Sequence, residues 1–209
     1  ARGTFAEPAY SALAQVEFAA EHADVHLLPP DYFTDFEIDT VHMKAPEYQW
    51  CGQLWGEVIA DWMIRGQDAA LMMTGASWAG STMRLTFNHP VAFDPHNIVL
   101  GANACGAGHA NTNGATRTIS RARLDPAADD VVILDMSSAI PTDAVEVARM
   151  AYGNQTSPAA QTMGWGGAPS GGGQRSTIRR ADWGERFGVI DGRPLMIFAA
   201  IQQIPATKE

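Results

Sequence analysis

The sequence predicts a chain in two parts, an α/β segment over residues 1–66 and an all-β sandwich over residues 70–209. Three observations carry this expectation. Apolar residues recur at helical spacing before residue 66. After residue 70 that period gives way to alternation. Asn88-His89-Pro90, Asp125-Pro126 and Pro141-Thr142-Asp143 then punctuate runs of strand length, which is the rhythm of a sandwich.

The elements follow in order. Pro8, with Leu13, Val16 and Ala20 at helical spacing behind it, predicts a helix over 8–23. Val25-His26-Leu27-Leu28 reads as a short buried strand stopped by Pro29-Pro30, and 31–45 as a loop rich in acids and aromatics. A second helix is expected over 46–64, with Tyr48, Cys51, Trp55, Val58, Ile59 and Trp62 along one face. Pro46 suits its first turn and Gly66 its far end. Strands are expected over 83–87, part of 116–124, 131–136, 145–150 and 195–198. Between the last two lies a long excursion over 153–188, rich in Gly, Ser and Pro, of the kind that is usually functional or mobile. The boundary between the parts is placed at 66–70.

Composition narrows the function classes. The chain has 209 residues, 46% hydrophobic and 18% charged, as a globular protein has. No run is long enough to cross a membrane as a helix, so no membrane insertion is expected. A net charge of −9 argues against a broad nucleic-acid surface. The local cluster Arg175, Arg179 and Arg180 is expected on a solvated loop. Cys51 and Cys105 lack metal-like spacing, and Cys51 falls on the apolar face of the second helix. The start Ala1-Arg2-Gly3 reads as a processed product or a fragment.

The stretch with most chemistry is Asp39-Thr40-Val41-His42-Met43. A histidine acting as general base needs one ring nitrogen facing a nucleophile and the other held by an acceptor, usually a carboxylate. On a loop, a carboxylate three residues earlier can fold back onto the imidazole and fix its tautomer. The bland alternative is an Asp that caps a turn beside an exposed His.

Context favours the pair. With its upstream helix and short strand, and with Tyr48, Gly52, Gly56 and Ala60 in the helix that follows, the block Asp39-x-x-His42 resembles the C-terminal end of an SGNH (GDSL-like) hydrolase. The resemblance covers residues 5–64 and implies the closing piece of a flavodoxin-like three-layer fold. It further implies that His42 is the general base toward a serine, that Asp39 orients it, and that acyl groups, typically acetyl on a polysaccharide, are removed without metal or cofactor. The family's serine and its oxyanion-hole residues lie upstream of the Asp-x-x-His block, and no Gly-Asp-Ser-like block precedes Asp39 here. The nucleophile is therefore expected on an upstream segment or a companion polypeptide.

Other candidates receive plainer readings. Ser77, in Gly75-Ala76-Ser77-Trp78-Ala79-Gly80-Ser81, echoes a nucleophile turn but follows the histidine and lies where the strand pattern begins. Ser137-Ser138 reads as turn chemistry, His26 as a core residue, and His89 as a turn residue, with His96 and His109 in loops. A metal site from His89, Asp94 and His96 has no spacing that fixes its geometry.

The β-rich half resembles, in pattern only, immunoglobulin-like accessory modules of bacterial surface and carbohydrate-active proteins. The lines that carry it are "MRLTFNHPVAFDPHNIVL" and "DVVILDMSSAIPTDAVEVARMAYG". Trp165 and Trp183 in the excursion either stack on sugar rings or pin the loop onto the sandwich. Two functions result: part of an extracellular or surface-borne esterase, or a non-catalytic binding or structural appendage of a cell surface or virion.

Overall fold

A computed structural model of the chain describes residues 10–30, 34, 42–66, 70–94, 107–111, 119–141, 146–150, 177–200 and 202–209. The protein is mixed helix and sheet with a β-rich core. Among the described residues two helices, α1 (Tyr10–Glu21) and α2 (Ala45–Arg65), precede nine strands. These are β1 (Met73–Ala79), β2 (Thr82–Phe87), β3 (Val91–Phe93), β4 (Ala107–Asn111), β5 (Ile119–Asp125), β6 (Ala128–Met136), β7 (Glu146–Met150), β8 (Ile178–Arg180) and β9 (Gln202–Lys208). Seven form one sheet in the order β4-β7-β9-β1-β2-β6-β5, while β3 and β8 pair separately.

Both helices occur where the periodicity puts them. α2 carries Pro in its first turn and ends at Gly66, whose φ of 65° is left-handed and whose N–H donates to the Trp62 carbonyl. That conformation suits glycine, which has no Cβ to clash. The predicted strand at Val25–Leu28 does not form: residues 25–30 are irregular, and Pro29 and Pro30 deny the segment two backbone donors. It is held from α2 instead, by Trp55 Nε1 donating to the Pro29 carbonyl at 3.2 Å and by the His26 and Trp62 rings at 4.2 Å.

The buried face of α2 also differs from the expected one. Glu47, Trp50, Cys51, Leu54 and Val58 are buried, while Tyr48 and Ile59 are exposed. Trp50 Nε1 donates to the Pro194 carbonyl at 3.1 Å. Trp50, Cys51, Leu54 and Val58 of α2 join buried residues of the sheet and of segment 195–199 in a single hydrophobic cluster.

The sheet is built from hairpins. Gly80, with φ of 59°, turns β1 into β2, and Pro126-Ala127 turn β5 into β6 with the Asp125 carboxylate accepting the Ala127 N–H at 2.9 Å. β2 alternates between buried and half-buried positions, as a strand with one core face should. In β6, Val131, Val132, Ile133 and Leu134 are all buried, so this strand is covered on both faces. The turn at Asn88 does more than reverse the chain, because its side chain accepts from the Met72 N–H and donates to the Ala70 carbonyl.

Two expectations for the C-terminal region need correcting. Residues 195–198 are not a strand; among them Phe198 alone makes an isolated bridge, to Arg179. The strand of that region is β9, which runs antiparallel to β7 and parallel to β1. The excursion expected over 153–188 contains β8 and a buried Trp183 in its described part.

Candidate functional site

His42 stands exposed on the chain leading into α2. The next residue, Met43, is buried, and its sulfur receives the Cys51 thiol at 3.9 Å from the second turn of the helix. The backbone carrying His42 is thus anchored on one side and presents the imidazole on the other. Asp39 lies outside the described residues, as do Trp165, His96, Arg175 and Cys105. The geometry of the Asp39–His42 pair is therefore not described.

Ser77 sits within β1, and its hydroxyl donates to the Glu209 carboxylate. Ser137 and Ser138 form a bend after β6. His109, expected in a loop, belongs to β4. Asp94 is buried, with its N–H donating to the Thr177 carbonyl at 2.7 Å, and among the described residues no three His, Cys, Asp or Glu side chains are grouped to hold a metal.

An aspartate–histidine contact that sequence spacing did not suggest joins His89 to Asp182 at 3.5 Å. Its partners are 93 positions apart (182 minus 89), so no local motif announces it. Asp182 is gripped by Arg180, whose Nε and Nη2 each donate at 2.9 Å. Those hydrogen bonds hold the Asp182 carboxyl below its ordinary range, against an opposing effect of burial and with help from the charges of Arg180 and His89. Arg180 is itself 6% exposed, so this member of the expected solvated cluster is a buried ion-pair residue.

Around Trp183 and α2 the charges interlock. Arg186 lies over the Trp183 ring at 4.0 Å and donates to Glu57 at 2.9 Å and Asp61 at 2.8 Å. Arg193 bridges Asp191 and Glu47 and lies 5.5 Å from the Trp50 ring. Burial raises the Asp191 carboxyl, but the Arg193 backbone and side-chain donors outweigh it and bring the carboxyl below its ordinary range. Trp183 is 7% exposed with Arg186 on its face, and Arg180 lies within 5.6 Å of the ring. A ring so covered offers no platform to a sugar. Its placement is that of a residue fastening segment 180–187 to the core.

Beside this network lies a cavity of about 240 Å³ lined by Arg179, Arg186, Glu185, Phe187, Leu195 and Met196, among others. Sequence reading missed it because its walls come from two stretches joined only by folding. The signal available was the Arg179-Arg180 doublet, of which one arginine turns inward to an ion pair and the other lines the cavity.

No helix among the described residues is long and apolar enough to cross a membrane. No family model matches the chain, and no curated protein matches it. Among solved structures it is similar to the N-terminal part of the bacterial S-layer protein SbsC, at a TM-score of 0.33 and 7% identity over 53% of this chain and 25% of that one. It is also similar to the S-layer protein rSbsC(31-844), at a TM-score of 0.39 and 6% identity over 80% of this chain and 17% of that one. The chain therefore spans a quarter or less of the length of either neighbour.

Proposed function

We propose that this chain supplies the Asp39/His42 pair of an SGNH-type serine esterase that removes acyl groups, acetyl foremost, from a polysaccharide outside the cell. On this reading residues 1–66 close a flavodoxin-like three-layer domain, and residues 70–209 form a sandwich-like module for attachment or substrate capture. The serine and oxyanion donors come from an upstream segment or a companion polypeptide. His42 takes the proton of that serine as it attacks the ester carbonyl and returns it to the leaving alcohol, while Asp39 holds the imidazole in the required tautomer. Beyond the sequence resemblance, one observation supports the reading: His42 is exposed while its neighbour Met43 is buried against α2. A general base needs that combination of an accessible ring and a fixed backbone.

The test is hydrolysis of a small acetyl ester by the chain joined to its upstream segment. His42→Ala is expected to abolish turnover. Asp39→Asn is expected to slow it roughly 10⁴-fold, the cost of the equivalent change in the serine-protease triad. An unchanged rate in the His42 variant removes the assignment.

A second reading, a non-catalytic binding or structural appendage of a cell surface or virion, is favoured by a different observation. The buried face of α2 lies in the same hydrophobic cluster as the sheet, so the helix serves as a buttress for the β-rich part. Binding of a polysaccharide by the chain, with no hydrolysis when the upstream segment is supplied, selects this reading.

A further inference from the structure

Most arginines around the 177–196 cavity are neutralised where they stand. Arg180 has Asp182, Arg186 has Glu57 and Asp61, and Arg193 has Asp191 and Glu47. Arg179 differs. Among the described residues its Nη1 reaches the Arg180 carbonyl at 3.4 Å, and its Nε is buried with no hydrogen-bond partner. No described carboxylate lies within ion-pair distance of it. A guanidinium left this way, partly withdrawn from water, attracts an anion more strongly than a solvated one does.

The cavity that Arg179 lines is mostly apolar on its remaining sides, where Phe187, Leu195 and Met196 stand. Its walls are held in place. The Leu195 N–H donates to the Arg186 carbonyl at 2.8 Å, Phe187 bridges to Pro194, and Arg179 itself bridges to Phe198. Arg186 is fixed by two carboxylates and the Trp183 ring. Little ordering is therefore left for a ligand to impose. At about 240 Å³ the space falls below the roughly 300–1,000 Å³ of drug-sized sites, so it suits something the size of one sugar or one aromatic ring.

We propose that this cavity binds a small monocarboxylate that carries an apolar face, with Arg179 as the anchor for the carboxylate. The planar fork of a guanidinium matches the two oxygens of a carboxylate, and the apolar wall takes the ring. Glu185 shares the wall without pairing with Arg179. It disfavours a dianion such as a phosphate more than a single negative charge, and so sets the charge class. A uronic acid and an aromatic acid both present this chemistry. The site does not depend on the role of His42.

The experiment is calorimetric titration of the whole chain with glucuronate, benzoate and glucose in the millimolar range. Binding of glucuronate alone identifies an acidic sugar site, binding of benzoate alone an aromatic-acid site, and both support the proposal, whereas glucose is expected not to bind. Arg179→Gln should weaken carboxylate binding at least about tenfold, with Arg179→Lys weakened less. Glu185→Gln should tighten it by about two- to fivefold, because a like charge leaves the wall. Thermal unfolding checks that Arg179→Gln still folds, and if it does not, the Glu185 variant decides. Failure of both carboxylates to bind, or binding that ignores these substitutions, overturns the proposal.

Discussion

Asp182 shows how much one carboxylate can organise. It neutralises Arg180, whose side chain is 7% exposed, and reaches His89 from the turn between β2 and β3. Its carboxyl titrates below the ordinary value of 3.8, so the folded state releases the proton more readily than the unfolded chain. The stability this lends is complete above that ordinary value and disappears as pH falls through the lower folded value. Asp182→Asn should therefore cost on the order of 1 kcal/mol at pH 7, because the carboxylate that pairs with the buried Arg180 is 38% exposed and solvent screens the pair. The gap to the native chain should begin to narrow as pH drops below about 4, where the unfolded chain's carboxylate takes up its proton, and should close only at the lower pH where the folded carboxylate is protonated as well. Denaturant unfolding at pH 7 and pH 3 measures both values, and a gap that is constant with pH would contradict the ionic account. Asp125 follows the same sign at the turn between β5 and β6, its carboxyl held low by the Ala127 N–H and by Arg84.

Among the elements, α2 was legible in length and ends but not in orientation. Pro46 and Gly66 mark its limits by local backbone chemistry, which a sequence carries in full. The helix has two apolar stripes, however, one through Trp50, Cys51, Leu54 and Val58 and another through Tyr48, Trp55, Ile59 and Trp62. Periodicity alone does not rank them, and the choice was made by what packs against each. Segment 194–199 takes the first, and residues 25–30 meet Trp55 and Trp62 of the second. Leu54→Ala, at a fully buried position, should thus cost about 2–5 kcal/mol, whereas Ile64→Ala, 81% exposed, should stay within about 0.5 kcal/mol. Thermal or denaturant melts of the two variants check the ranking. The candidate site divides the same way. His42 could be singled out from its local motif, while Arg179, Glu185 and Leu195 meet only after β8 and segment 194–199 come together.

At the scale of the whole molecule the last element decides the architecture, and it was the hardest to read. β9 contains Pro205 and begins Gln202-Gln203, a composition that does not announce a strand inside a sheet. It is tolerated because the regular pairing with β1 is confined to Ser77 with Thr207 and Trp78 with Lys208, beyond the proline. Nearer the start of β9, the buried Gln202 amide replaces the missing ladder. Its Oε1 accepts the Met73 N–H at 2.5 Å, and its Nε2 donates to the Met73 carbonyl at 3.3 Å. β9 then stands between β7 and β1, joining the β4–β7 pair to the β1-β2-β6-β5 group in the described sheet order. Because α2 shares its buried cluster with that sheet, helix and sheet should melt in one transition. Removing residues 202–209 should divide the sheet, unseat the cluster and abolish that transition. Scanning calorimetry, with tryptophan emission reporting Trp50 and Trp78, tests this on the full chain and the truncated one. A truncated chain that still melts cooperatively within a few degrees of the full chain would mean that β9 is an accessory edge and that the core is closed by the remaining strands.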